Sequence, residues 1–267
     1  MTTTEGLVTT TTVTHPDGTA LTATTEQADE GGKPKERVLL PTTVTPSHYD
    51  VHLTPWQAGK GEQPGFTGEA TVSITVNEPT DTITLHALEL EILTAAVDDD
   101  HTVEDGISYD SKLQTATLTF AEPLPVGDAK LTMSFVGVLN DKMCGFYNST
   151  YTVGGEKKQM ATTQFEATDA RRAFPCWDEP ALKATFSFTL TVPEAMTAVS
   201  NMPVVSTEPA AKLEGWKTVA FEKSCIMSTY LGAFVVADMA FIEVGHASIV
   251  LCKPTIYPTI VRSISST

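Results

Sequence analysis

Basic residues are scarce in this chain: 17 Lys and Arg stand against 33 Asp and Glu in 267 residues, a formal charge of -16. A surface of that sign repels phosphate backbones and anionic headgroups, so nucleic acid and membranes are excluded as natural partners, while a cationic ligand is welcome. Cysteine is also sparse. Cys144, Cys176, Cys225 and Cys252 are far apart in sequence and form no Cys-x-x-Cys pair, which argues against a disulfide framework or a thiolate metal site. No stretch reaches the ~18 consecutive apolar residues that a membrane span needs, and the N-terminus carries neither a basic n-region nor an apolar signal core. A soluble, cytoplasmic chain is expected. On the same grounds, the sequon Asn148-Ser149-Thr150 reads as a chance match.

Helical periodicity is missing as well. What is present is a period of two, with Tyr49, Val51 and Leu53 alternating with His48, Asp50 and His52, and Val72, Ile74 and Val76 alternating with Thr71, Ser73 and Thr75. It recurs at Ile83 and Leu85, at Ala116, Leu118 and Phe120, and at Leu131, Met133 and Phe135. The clearest case is ATFSFTLTV, where Phe186, Phe188, Leu190 and Val192 share one face and the Thr and Ser residues the other. Turn signals such as Glu78-Pro79, Glu122-Pro123 and Val126-Gly127-Asp128 separate the runs. The predicted fold is all-β: an antiparallel sandwich or strongly curved sheets over residues 37–244, with a hydrophobic content of 41% sufficient for a core. Residues 1–36, rich in Thr and poor in large apolar side chains, are expected to form a disordered arm, and residues 245–267 a divergent tail.

Several clusters invite a chemical reading. His48 and His52 have the spacing of a helical metal pair, but on a strand they lie ~13 Å apart, too far for one ion, so a solvated strand face is expected. Asp98-Asp99-Asp100-His101 with Glu104-Asp105 lacks the spaced layout of a calcium loop and reads as a hairpin tip. Met143 to Tyr147 and Tyr151 read as an aromatic loop closing the end of a core. The uncharged runs Tyr230–Val236 and Ser248–Cys252 are expected to add association-prone surface.

The stretch TQFEATDARRAFPCWDEP, residues 163–180, differs in kind because it sets several charged groups among Phe, Trp and Cys. Asp169, Arg171, Arg172, Asp178 and Glu179 are mostly explained as an ion-pair network holding an irregular crossing. Gln164 and Glu166 are not. On extended backbone they project to one side, and a carboxylate beside an amide oxygen matches the donors of an ammonium ion.

ATTQFEATDARRAFPCWDEPALKATFSFTLTVP closely resembles the signature of the amino-terminal domain of zinc aminopeptidases of the aminopeptidase N (gluzincin) type. RVLLPTTVTPSHYDVHLTP, LNDKMCGFYNSTY and MSTYLGAFVVADM resemble it in the same order, over about residues 37–244 and nearest to cytosolic fungal and animal members. The resemblance implies a saddle of β-strands packed on a thermolysin-like zinc domain, with Gln164 and Glu166 binding the free α-amino group and first side chain of a peptide. A carboxylate poorly hydrated in that setting recognises a terminal ammonium through charge-assisted hydrogen bonds. The family's Gly-x-Met-Glu-Asn and His-Glu-x-x-His segments occur nowhere in the sequence, so no catalytic residue, metal ligand or cofactor is expected here, and zinc is expected only in a full-length enzyme. After Val244 the resemblance stops. The expectation is a truncated substrate-recognition domain, inactive alone, whose partners are peptide N-termini and a catalytic zinc domain. The rivals are a free-standing peptide- or protein-binding sandwich and an interfering short isoform.

Overall fold

The computed structural model describes residues 8–14, 20–26, 39–56, 64–153, 155–243 and 249–252. Strands β1 (Val8–Thr14) and β2 (Ala20–Glu26) pair antiparallel within a separate unit, residues 1–38. Two stretches of the expected disordered arm are therefore paired as strands. Their content of β-branched Thr favours extended backbone, a preference that the shortage of large apolar side chains hides. The remainder of the arm lies outside the described residues.

The second unit holds β3 (Val44–Pro55), β4 (Gly65–Val76), β5 (Thr80–His86), β6 (Leu90–Val97), β7 (His101–Asp110), β8 (Thr115–Leu124), β9 (Gly127–Val138), β10 (Gly145–Val153) and β11 (Glu156–Gln164). It continues with β12 (Thr185–Pro193), β13 (Thr197–Ser200), β14 (Val204–Pro209), β15 (Trp216–Phe221), β16 (Phe234–Ala237), β17 (Ala240–Glu243) and β18 (Ile249–Cys252). Short 3-10 turns at Ala170–Arg172 and Thr229–Leu231 are the helical pieces among the described residues. The all-β reading holds.

Ten strands form one sheet in the order β14-β15-β12-β3-β4-β9-β6-β7-β8-β5, and four form another in the order β10-β11-β16-β13. Pairings are antiparallel except β12 with β3, which run parallel from Thr185 opposite His48 to Leu190 opposite Leu53. A parallel pair needs a long crossover, and everything from β4 to β11 supplies it. The expected divergent tail meets the described residues only at β18, whose backbone pairs with β17.

The two sheets share one core, built from the inward sets the alternation marked: Tyr49, Val51 and Leu53, Val72, Ile74 and Val76, and Phe186, Phe188, Leu190 and Val192 are all buried. Aromatic rings join the sheets. Phe66 meets Phe146 at 5.2 Å, Phe146 meets Phe234 at 5.0 Å, and Phe234 meets Phe188 at 5.2 Å between centroids. Phe234 and Val236 also correct the expectation for Tyr230–Val236, since this run supplies core residues of β16 and not an exposed apolar ribbon. Ser248–Cys252 lies outside the residues whose side chains are described.

Two glycines make this packing possible. A Cβ on Gly68 would run into the Phe135 ring opposite it on β9, and a Cβ on Gly137 into the Phe66 ring. Both rings are buried and cannot swing out. Gly68→Ala should therefore destabilise the fold by about 1–3 kcal/mol, read as a lower urea midpoint with an unchanged slope. An unshifted midpoint would mean that the core yields there.

Candidate functional site

Residues 163–180 leave the small sheet at the end of β11 and cross to the large one. Extended backbone stops at Gln164, earlier than the sequence suggested, but the alternation of exposure persists one step further: Gln164 and Glu166 are exposed and Phe165 is 2% exposed. Phe165 fills the core between Phe174 and Phe234, with ring centroids at 6.0 Å and 5.9 Å. Its burial pins the stretch and turns its neighbours outward. The Glu166–Ala167 peptide is cis, and the Asp169 N–H donates to the Phe165 carbonyl at 2.9 Å, closing the turn that carries Glu166.

Beyond the turn lies a buried polar knot. Arg171, 6% exposed, donates from Nε to Asp178 Oδ2 at 3.0 Å, from Nη2 to the Asp178 carbonyl at 3.3 Å and from Nη1 to Gln114 Oε1 at 3.0 Å. The Asp178 N–H donates to His86 Nδ1 at 3.2 Å, and His86 and Cys176 exchange backbone hydrogen bonds at 2.8 and 3.1 Å. The Trp177 N–H donates to the Tyr49 hydroxyl at 3.1 Å, and Glu179 Oε1 accepts the Leu40 N–H at 2.7 Å. The expected ion pair is present between Arg171 and Asp178, whereas Glu179 departs from the expectation and is engaged by a backbone N–H, not by a cation. Neither Gln114 nor His86 has any local signal that ties it to the stretch; the turn before β8 delivers the first and the end of β5 the second.

Burial sets the electrostatics of the knot. Burial pushes Asp178 above the ordinary carboxylate range despite the opposing pull of Arg171, and it pushes the thiol of Cys176 and the phenol of Tyr49 well up. Burial, assisted by the Arg171 charge, lowers His86 to about 4 from 6.5. In the window between those values the unfolded chain binds the proton that the folded chain refuses, so stability falls as pH drops from about 6.5 towards 4. The loss should reach about 2–3 kcal/mol, and His86→Gln should flatten it in urea titrations across that range. An equally steep slope in the variant would assign the acid sensitivity to other groups.

Asp169 and Arg172 form a second, shallower network. Arg172 Nε meets Asp169 Oδ1 at 2.7 Å, Arg172 Nη1 meets Glu89 Oε2 at 2.8 Å, and Lys142 Nζ meets Glu89 Oε1 at 3.3 Å. Partial burial alone would raise the Glu89 carboxyl, but Arg172 and Lys142 together hold it below its usual range. Every charged side chain of the crossing but Glu166 thus has a partner among the described residues. Among the described residues, neither Glu166 nor its neighbour Gln164 meets a hydrogen-bonding or ionic side-chain partner. The shielding expected around the Glu166 carboxylate is not supplied by the described residues, since Ala167 and Thr168 beside it are exposed too.

The remaining candidates fall where their strands put them. His48 Nδ1 lies 2.7 Å from Thr185 Oγ1 and His52 Nε2 lies 2.8 Å from Thr191 Oγ1, both on the polar face that β3 shares with β12. Asp98 to Asp100 form the turn between β6 and β7, where Asp98 Oδ1 accepts the Lys130 N–H at 2.8 Å. The side chains of Glu104 and Asp105 lie outside the described residues. The expected aromatic loop is instead mostly strand: Phe146, Tyr147 and Tyr151 lie on β10, with Phe146 fully buried, and Met143, before the strand, is 70% exposed. Asn148 sits within β10 with its Oδ1 buried.

A family model described as the Peptidase M1 N-terminal domain matches residues 45–231, which include the crossing 163–180. Aminopeptidase M1-B of Oryza sativa subsp. japonica is 43% identical over 204 residues, covering 76% of this chain and 22% of that protein. Puromycin-sensitive aminopeptidase of Caenorhabditis elegans is 43% identical over 210 residues, covering 76% and 21%. Alanine/arginine aminopeptidase of Saccharomyces cerevisiae is 41% identical over 218 residues, covering 78% and 24%. The chain spans less than a quarter of the length of these relatives. It belongs to the Peptidase M1 N-terminal domain family.

Proposed function

We propose that this chain is the substrate-recognition domain of an M1 aminopeptidase, in which Glu166 and Gln164 receive the α-ammonium of a peptide while hydrolysis takes place on a separate zinc-binding catalytic region. The observation that carries this reading is the contrast within one crossing: the other charged side chains are tied into the fold, and Glu166, raised beside Gln164 on a turn anchored by buried Phe165, is left unengaged. Stability gives no reason for such a carboxylate. An incoming cation does, because a carboxylate and an amide oxygen offer acceptors to its three N–H donors.

The described residues do not fit zinc. No three His, Cys, Asp or Glu side chains among them converge on one point, and the sequence has no His-Glu-x-x-His. The metal and the activated water therefore belong to the catalytic region in this reading, and the chain alone is inactive. Among the described residues no helix is long and apolar enough to cross a membrane. A cytoplasmic setting accords with the free thiols of Cys144, Cys176 and Cys225.

Titration of the chain with L-leucinamide, followed by amide NMR, tests the reading. Shifts centred on residues 164–168 are expected, absent with N-acetyl-L-leucinamide and abolished by Glu166→Gln. Shifts scattered over the acidic surface, or equal for the acetylated compound, would overturn it in favour of a general binding module. The chain should also hold no stoichiometric zinc and release nothing from leucine arylamides. One tightly held zinc per chain with chelator-sensitive hydrolysis would refute the division of labour.

A further inference from the structure

Gln164 and Glu166 stand on different local supports, the first at the end of a paired strand and the second on a hydrogen-bonded turn. One side chain touches both. Gly145, paired with Gln164 across β10 and β11, has φ +69°, and a Cβ there would lie 2.5 Å from the Cβ of Arg172. The Arg172 side chain thus lies over the strand partner of Gln164. Its guanidinium also reaches Asp169, whose own N–H closes the Glu166 turn on the Phe165 carbonyl. Glu89 Oε2, from the β5–β6 connection, forms an ion pair with Nη1 of the same guanidinium at 2.8 Å, and Lys142 pairs with Glu89.

Stability is a poor explanation for this chain of contacts. The side chains of Arg172, Asp169, Glu89 and Lys142 are 18%, 27%, 33% and 62% exposed, so the network lies at the wet margin of the core, where ion pairs contribute modestly to folding. Geometry is a better one. A planar guanidinium held by two carboxylates from separate segments fixes their relative placement in a way that a flexible ammonium does not. The two cations and two anions also cancel, so the network leaves the negative field at Glu166 uncompensated.

We propose that Arg172 is a positioning residue: clamped by Glu89, it holds the Asp169-closed turn against β10 and thereby sets the direction of Glu166 relative to Gln164. The proposal rests on the reading of that pair as an amine site, but its first readout does not. In Arg172→Met the Asp169 amide should exchange with solvent about ten-fold faster, while amides of β3 and β12 keep their protection. Binding of L-leucinamide should weaken several-fold. Arg172→Lys, which preserves charge without the planar fork, should lie between, and Glu89→Gln should reproduce a milder form of both effects should Arg172→Met fold poorly. An unchanged Asp169 amide, or faster exchange throughout both sheets, would overturn the positioning role. So would faster local exchange with undiminished leucinamide binding. Failure of the wild-type chain to bind leucinamide would instead remove the amine reading, with Asp169 exchange still deciding whether Arg172 holds the turn.

Discussion

Arg171→Met should lower the unfolding free energy by about 3–5 kcal/mol at neutral pH, the cost of leaving a buried carboxylate without its cation. The magnitude follows from where the pair sits. Arg171 and Asp178 are 6% and 4% exposed, and the same guanidinium also serves Gln114 and the Asp178 carbonyl. Methionine fills much of the volume but meets none of these acceptors. Burial already raises Asp178 above its usual range, and loss of Arg171 raises it further. A carboxyl whose folded value exceeds its unfolded one is fully tolerated below the unfolded value and penalised above it. The deficit of the variant should therefore shrink as pH is lowered through the carboxylate range and grow towards neutrality. Urea melts at several pH values measure it, and Arg171→Met with Asp178→Asn should recover part of the loss. A deficit below about 1 kcal/mol at neutral pH would show that the knot is not what ties the crossing to the large sheet.

Sheet architecture was legible in the sequence wherever one strand face is buried and the other wet. Phe186, Phe188 and Leu190 against Thr185, Ser187 and Thr189 state both the strand and its inward side, because side-chain direction in a strand has a period of two. The partner of that strand was not legible. The parallel pairing of β12 with β3 joins residues 137 positions apart at Thr185 and His48, and no local pattern encodes it.

The site divides in the same way. Gln164 and Glu166 stand out in the sequence because a carboxylate beside Phe and followed by Asp, Arg and Trp is chemically out of place in a Thr-rich sheet; that the two lie on one exposed side is what the structure adds. Which of the surrounding charges were structural could be said only in outline. Glu89, Lys142 and Gln114 come from other connections and His86 from the end of β5, and their convergence is a product of topology. The turn itself also escaped sequence reading, since the strand pattern gave no reason to stop at Gln164.

Glu166→Gln should leave folding untouched and impair recognition. The side chain is exposed and meets no partner among the described residues, so its replacement should move stability by no more than about 0.5 kcal/mol. In a chain joined to an M1 catalytic region, loss of a charge-assisted contact to the α-ammonium should reduce kcat/KM by roughly 10- to 100-fold, or ~1.5–3 kcal/mol. Gln164→Ala should do the same to a smaller degree, because a neutral acceptor contributes less than a charged one. The effect of Glu166→Gln should nearly vanish for substrates whose α-amine is acetylated, which have no cation to lose. The most direct measurement is therefore the ratio of kcat/KM between wild type and Glu166→Gln for one peptide with its α-amine free and acetylated. A ratio of roughly 10 to 100 for the free amine, falling to about 1 for the acetylated form, is the expected result. An equal ratio for both forms, or a sharply lowered Tm with kcat/KM of the folded fraction unchanged, would contradict the assignment and return Glu166 to a structural role.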